Sequence, residues 1–242
     1  MRLLFVMALI GQTFLSQAAT HSVSSPDGKL KVTMKDDHGK PSYSVFFNGQ
    51  NVIQTSGLGL VFKQQAPFTD GFKITKVERE SVSQSWEQPW GERRLVADRH
   101  NELLITFELK APVENKQGGL LSSLFSDGDT TSSAEYRVRV RVFDDGLGFR
   151  YEVPSQAGYE TVEIVKENTE FNFNQAQDIT SWWIPARGWN RYEYVYHQTP
   201  LFEAAHVHTP FTLKTAEGVH MSIHEAALVD YAAMTLKQGR PG

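Results

Sequence analysis

From Ser24 onward, short runs in which apolar and polar residues alternate are separated by turn residues, the pattern of antiparallel strands with one buried face. Pro26-Asp27-Gly28, Asp37-His38-Gly39 and Asn48-Gly49 punctuate the first runs. Each is hairpin chemistry, because Gly, Asn and Asp accept the positive φ that tight turns need. Phe72–Val82 and Glu102–Leu109 continue in the same style, with Ile74, Val77, Leu104 and Thr106 in strand-like composition. The clearest pair is Tyr136–Phe143 and Phe149–Val153, joined through Asp144–Gly148. In the first of these, Tyr136, Val138, Val140 and Val142 share one face, and Arg137, Arg139 and Arg141 share the other. The apolar face is core. The arginines either pair with carboxylates of neighbouring strands or form a site for an anionic substrate. Thr161–Phe173 reads as a further strand region, and the run from Val219 alternates up to His224-Glu225. No segment sustains a period of 3.6, so the fold class is all-β and antiparallel, with few short helices.

The start of the chain departs from this pattern. Met1–Thr20 carries Arg2, an apolar run from Leu3 to Ile10, and small residues at Ser16 and Ala18, which reads as a secretory signal peptide cut after Ala18 or Ala19. The run is too short to span a bilayer, and no later stretch approaches transmembrane length. Residues 1–19 are therefore assigned to the signal and 20–242 to one β domain, placed in the periplasm or outside the cell. The chain has no cysteine, so its stability must come from a packed core. A net charge of −4, with scattered basic residues, offers nothing to attract nucleic acid or an anionic membrane surface. Between Lys110 and Ser133 lies a long Gly-, Ser- and Asp-rich loop carrying Leu120, Leu121, Leu124 and Phe125, which reads as functional, disordered, or a short docked helix.

Candidate chemistry concentrates in Ser181–Tyr196, SWWIPARGWNRYEYVY, which holds Trp182, Trp183, Trp189, Tyr192, Tyr194 and Tyr196 around one carboxylate, Glu193. Aromatic faces cover the apolar C–H side of a pyranose while polar groups read its hydroxyls; the same rings equally suit a sandwich core. On a strand, Trp182 and Trp183 point to opposite faces, so at most one of them lines a pocket. On a strand, too, Glu193 faces away from Tyr192 and Tyr194, and its charge calls for a cationic partner, Arg187 or Arg191 on local sequence. The spacing of His206 and His208 puts both rings on one side of a strand, a metal-ligand geometry of low specificity with no third ligand signalled. His224-Glu225 reads as a polar pair at a sheet edge or as an acid/base pair.

The stretches VFDDGLGFRYEV, WWIPARGWNRYEYVY and HTPFTLKTAEGVHMSIHEAALVDYAAMTLK, together with the Ser-Pro-Asp-Gly start, closely resemble the N-terminal domain of glycoside hydrolase family 97 over Val23–Lys237. The HEAALVDY run with the upstream YEY is the specific part. The resemblance implies a mutarotase-like β-supersandwich that precedes a (β/α)8 barrel and a small C-terminal β domain in a secreted or periplasmic bacterial enzyme. Members of known activity are exo-acting α-glucosidases, with α-galactosidases as the other branch. Their catalytic carboxyl groups sit on barrel loops that would lie beyond Gly242, so residues 20–242 are expected to form a non-catalytic domain, incomplete at its C-terminal end, with a sheet edge left open. In the α-glucosidase branch a calcium ion is held by barrel glutamates and one glutamate of the N-terminal domain; the matching position here is Glu193. His208, Thr209 and Pro210 match a loop lining the pocket for an α-linked oligosaccharide, and Trp189 is a further candidate for that wall.

Three readings follow. The chain is the front part of an exo-α-glycosidase, a free-standing carbohydrate-binding sandwich, or a mutarotase-like enzyme using His224 and Glu225.

Overall fold

The computed structural model describes residues 19–109, 134–188 and 191–239. Most of the signal segment, the 110–133 loop and Trp189 lie outside them. Sixteen strands account for nearly all regular structure, and among the described residues the helical turns are limited to two short 3-10 segments, Ala176–Asp178 and Leu201–Glu203. The all-β antiparallel fold is as the alternation predicts.

Strands β1 (Thr20–Ser24), β2 (Leu30–Asp37), β3 (Lys40–Phe47) and β4 (Gln50–Gly57) form the first sheet in sequence order. The β2–β3 and β3–β4 hairpins close through His38-Gly39 and Asn48-Gly49, with φ of 52° and 93°, then 49° and 79°. Positive φ at both central residues is the turn geometry whose twist matches that of the flanking strands. The short β5 (Leu60–Phe62) pairs with β10 (Ile164–Glu167). A second four-stranded sheet follows: β6 (Phe72–Glu87), β7 (Leu95–Leu109), β8 (Glu135–Val142) and β9 (Leu147–Glu152), again in sequence order.

These two sheets enclose the main core. Val32, Met34, Tyr43 and Val45 come from one side, and Leu103, Ile105, Phe107, Tyr136, Val138 and Val140 from the other. Tyr136, Val138 and Val142 are fully buried, as the alternation of β8 requires. Each large apolar side chain so buried contributes about 1.5–3 kcal/mol relative to exposure.

The opposite face of β8 resolves the arginine question. Arg139 pairs with Glu152 on β9 at 2.6 Å and also with Glu102 on β7, while Arg141 reaches Glu102 at 2.8 Å. Arg137 pairs with Glu135 at 2.8 Å, and Arg150 with Glu152 at 2.7 Å. The arginine face is an ion-pair lattice laid across three strands.

Strands β6 and β7 run further than the alternation indicates. Beyond Val82 and before Glu102 they leave the sheet as a two-stranded ribbon, with pairs from Val82↔His100 to Glu87↔Leu95. Trp86, Trp90 and Leu95 stand exposed on it, Trp90 at 84%. With both faces largely solvated, the ribbon has no apolar period for the sequence to display. The Thr161–Phe173 region, by contrast, is only partly strand. After β10, residues 168–174 follow the free edge of β4, with Gln54 N–H donating to Asn172 O at 2.7 Å and Glu170 N–H to Gly57 O at 3.0 Å.

The chain then enters a second, smaller unit. Strands β11 (Thr180–Trp183), β12 (His197–Pro200), β14 (Phe211–Lys214) and β15 (His220–Ile223) form a sheet in the order β12-β11-β14-β15. Strands β13 (His206–His208) and β16 (Thr235–Lys237) pair beside it. Ile179, Ala204, Val207, Phe211 and Leu213 make its core. The run from Val219 is strand only through Ile223; the residues that follow it, as far as Met234, form turns.

Glu102 is the keystone of the ion-pair lattice, its side chain only 6% exposed. Burial pushes its carboxyl pKa up, but hydrogen bonds and charge from Arg141 and Arg139 outweigh that and leave it below the ordinary 4.5. The Arg141 hydrogen bond lowers it most, although Arg141 is half exposed and screened by water, and the less exposed Arg139 adds charge and a second hydrogen bond. Glu102→Ala is expected to lower unfolding free energy in urea by about 1–3 kcal/mol. A carboxyl with a depressed folded pKa stabilises above its unfolded pKa and ceases to as pH falls through the folded one. The difference between wild type and Glu102→Ala is therefore expected to be full at pH 7 and to shrink below the ordinary glutamate range.

Candidate functional site

The aromatic segment begins in β11, where Ser181 is fully buried and its hydroxyl donates to Thr199 O at 3.0 Å. Trp183 belongs to the small core: its Nε1–H donates to Thr199 Oγ1 at 3.0 Å, and its ring stacks on His197 at 4.7 Å. Trp182 alternates to the other face, between Gln198 of β12 and Thr212 of β14, half-buried. Of the two adjacent tryptophans, only Trp182 is free of the small core. Trp189 lies outside the described residues.

After Trp183 the chain is pinned to β13. His208 N–H donates to Ile184 O at 3.1 Å, and Ala186 N–H to His206 O at 3.1 Å. Residues 191–196 then form no strand, which corrects the extended geometry expected for Tyr192-Glu193-Tyr194. Instead Tyr194 N–H donates to Tyr192 O at 2.9 Å, placing Glu193 at the centre of a γ-turn. Glu193 is not among the residues with positive φ, so the turn is of the common inverse type. Its carboxylate is exposed, and among the described residues it forms no hydrogen bond or ion pair. Neither Arg187 nor Arg191 compensates it. Tyr192, itself exposed, lays its ring over His208, the centroids 4.3 Å apart at an interplanar angle of 35°.

His208 is 2% exposed, and among the described residues neither ring nitrogen has a hydrogen-bond partner. His206, two residues away, is exposed and its Nε2 meets Thr235 Oγ1 at 3.0 Å. The two histidines therefore do not act as a ligand pair, and among the described residues no three His, Asp or Glu side chains gather as a metal site. Thr209 is buried, and its hydroxyl donates to Glu225 Oε2 at 2.7 Å; the Met234 amide donates to Glu225 Oε1. Burial raises the Glu225 pKa, but the hydrogen bonds from Thr209 and Met234 prevail and hold it below the ordinary value. His224 is exposed and its Nδ1 meets the backbone carbonyl of Glu225, not the carboxylate, at 3.1 Å. The acid/base pairing of these neighbours is not formed. Glu225 is an anchor that ties the 224–234 turns to β13. Pro210 is exposed, and a shallow recess is lined by Thr209, Pro210, His224 and Glu225.

The structure thus gathers Tyr192, Glu193, His208, Thr209 and Pro210 at one end of the small unit. Glu225 joins them as the anchor of Thr209, and this contact, like that of Tyr192 with His208, links residues 16 apart in sequence. No local spacing signals contacts of that separation.

A family model for the Glycosyl-hydrolase 97 N-terminal region matches residues 23–242. The chain belongs to glycoside hydrolase family 97, as its N-terminal domain. A Glycoside Hydrolase Family 97 enzyme from Pseudoalteromonas sp. strain K8, solved as a variant in complex with panose, is 53% identical with a TM-score of 0.81. The same enzyme in complex with acarbose gives the same values. Each match covers 92% of this chain and 31% of the solved one, so the chain spans about a third of the length of these family 97 enzymes. A beta-arabinopyranosidase is a more distant neighbour, 25% identical with a TM-score of 0.63 over 81% of this chain and 30% of that one.

The anchoring role of Glu225 is open to direct measurement. Glu225→Ala removes the acceptor of both the Thr209 hydroxyl and the Met234 amide and is expected to cost about 1–3 kcal/mol in urea unfolding. Hydrogen exchange at the Met234 amide is expected to rise with it; an unchanged rate would show that the turns are held by something else.

Proposed function

We propose that this domain is the non-catalytic N-terminal sandwich of a secreted or periplasmic, exo-acting α-glycosidase of α-glucosidase type. It closes one side of a pocket for an α-linked oligosaccharide that a (β/α)8 barrel of the same parent chain completes. The observation that carries this reading is Glu193: an exposed carboxylate, unpaired among the described residues, at the apex of a turn whose neighbours Val195 and Tyr196 are also exposed. Phe202, Leu228, Val229 and Tyr231 add exposed apolar surface on the same small unit, a composition suited to covering by another domain. The 53% identity to an enzyme solved with panose and with acarbose supports the ligand class.

Glycoside hydrolysis needs two carboxyl groups flanking the anomeric centre, one to protonate the leaving oxygen and one to activate water or attack. In this reading both belong to the barrel. Glu193 would supply one oxygen ligand to a calcium ion shared with it, whose chemistry when bound would be to keep substrate and carboxylates in register. The residues present fit this role in a limited sense. An accessible, unpaired carboxylate can turn to a hard cation without breaking an existing ion pair, but a site of six to eight oxygens cannot be made from one such group. His208 and Thr209 stand behind the turn, and Pro210 offers exposed surface at the rim of the pocket.

The free-standing glycan-binding reading has its own support in Trp86 and Trp90, exposed on the β6–β7 ribbon with Gln88 and Arg94 beside them. The two readings differ in what the isolated chain does. In the proposed one, purified 19–242 protein shows no turnover of aryl α-glucosides above a blank and no retardation in gels containing soluble α-glucan. Retardation lost on Trp90→Ala would favour the binding module instead. In a complete enzyme carrying this domain, Glu193→Gln is expected to weaken calcium affinity in calorimetric titration and to lower activity, with excess calcium partly restoring it. Unchanged affinity would remove Glu193 from the calcium site.

A further inference from the structure

We infer that the Tyr192–His208 ring stack is a positioning clamp that holds the Glu193 turn against β13, so that the carboxylate is presented in a fixed place before any cation or partner domain arrives. The inference rests on the reading of Glu193 as a cation ligand, but the clamp itself stands on separate observations. Residues 191–196 have no strand partner, and their backbone bonds are local: Tyr194 N–H to Tyr192 O at 2.9 Å and Arg191 N–H to Gly188 O at 3.5 Å. Such bonds shape the turn without attaching it to the body. The Tyr194 hydroxyl lies near Gly188. Attachment to the body falls to Tyr192, whose ring packs on His208 at 4.3 Å.

His208 is well suited to receive it. Its backbone is held on both sides, by Ile184 O at 3.1 Å and by pairing with Thr235 of β16, and the next residue is tied to Glu225. Among the described residues its two ring nitrogens make no hydrogen bond, and its contact with Tyr192 is ring against ring. With the Tyr192 ring packed on His208, Glu193 occupies the centre of the γ-turn and is exposed. Ordering a ligand-bearing loop in advance removes that cost from the binding step. The gain from one aromatic pair corresponds to roughly a three- to tenfold change in affinity. Tyr192 and His208 are positioning residues on this account, and ring character matters at both while the ring nitrogens do not.

Two measurements test the clamp. In the 242-residue chain, limited trypsin digestion reports opening of the turn through cleavage after the exposed Arg191. Tyr192→Ala and His208→Ala are expected to accelerate that cleavage several-fold, whereas Tyr192→Phe and His208→Phe keep the wild-type rate. In the complete enzyme, calorimetric calcium titration is expected to show a three- to tenfold loss for the alanine variants and retention for the phenylalanine ones, at unchanged thermal midpoint. Should His208→Ala fail to fold, Tyr192→Ala, changed at an exposed residue, carries the comparison. Equal cleavage in Tyr192→Ala and wild type overturns the clamp. Faster cleavage together with unchanged calcium affinity in Glu193→Gln supports the clamp while removing the ligand reading on which its purpose rests.

Discussion

Tyr136 stands between two other rings, stacked on Phe68 at 4.8 Å and on Phe107 at 5.1 Å, with Phe72 edge-on at 5.1 Å. This column joins the start of β6, the end of β7 and the start of β8 to the connection after β5, so the two main sheets close around it. Aromatic pairs of this kind add about 0.5–1.5 kcal/mol each beyond the area they bury. With no cysteine available as a staple, such packing has to supply what cross-links do in small disulfide-bonded domains. Gly59 shows how tight it is. A Cβ there would sit 2.4 Å from the carbonyl oxygen of Phe68, so the backbone can pass only as glycine.

From that core the position of the functional end follows by steps. The Tyr43 hydroxyl donates to Glu170 O at 2.7 Å, and the Asn172 amide donates to Ser56 Oγ at 2.9 Å. These bonds lay residues 168–174 along the edge of β4, and Ile53 bridges to Phe173 just before the chain enters the small unit. The edge of the first sheet is thereby covered, which removes a row of backbone groups that would invite pairing with another chain. The same covering segment delivers β11 to its place. The small core of Ile179, Val207, Phe211 and Leu213 then supports β13, and β13 supports the Glu193 turn.

The acidic and basic groups divide along this line. On β8 and its neighbours, carboxylates and guanidiniums satisfy one another across three strands. At the functional end, Glu225 is satisfied internally while Glu193 is left open. One carboxylate is bonded within the fold and the other is exposed and unpaired among the described residues, a distinction that depends on which backbone amides and hydroxyls lie within reach and not on the residue type.

Much of the main sandwich was legible in the residues themselves. The alternation of β8, the glycine turns of the first sheet and the lack of any helical period all express local rules, a two-residue repeat and a backbone preference, that act within one strand or hairpin. The family resemblance pointed to Glu193, His208, Thr209 and Pro210, and the fold does bring these together. What the sequence could not show is how each is held. The ribbon of β6–β7 has two solvated faces and hence no pattern; the turn at Glu193 replaces an expected strand because no neighbouring strand is there to pair with it. The burial of His208 under Tyr192 and the capture of Glu225 by Thr209 join residues 16 apart across separate elements. Local propensity and periodicity determined the strands; side-chain partners across those distances exist only once the strands have packed, so only the tertiary structure decided which charges are spent and which remain free.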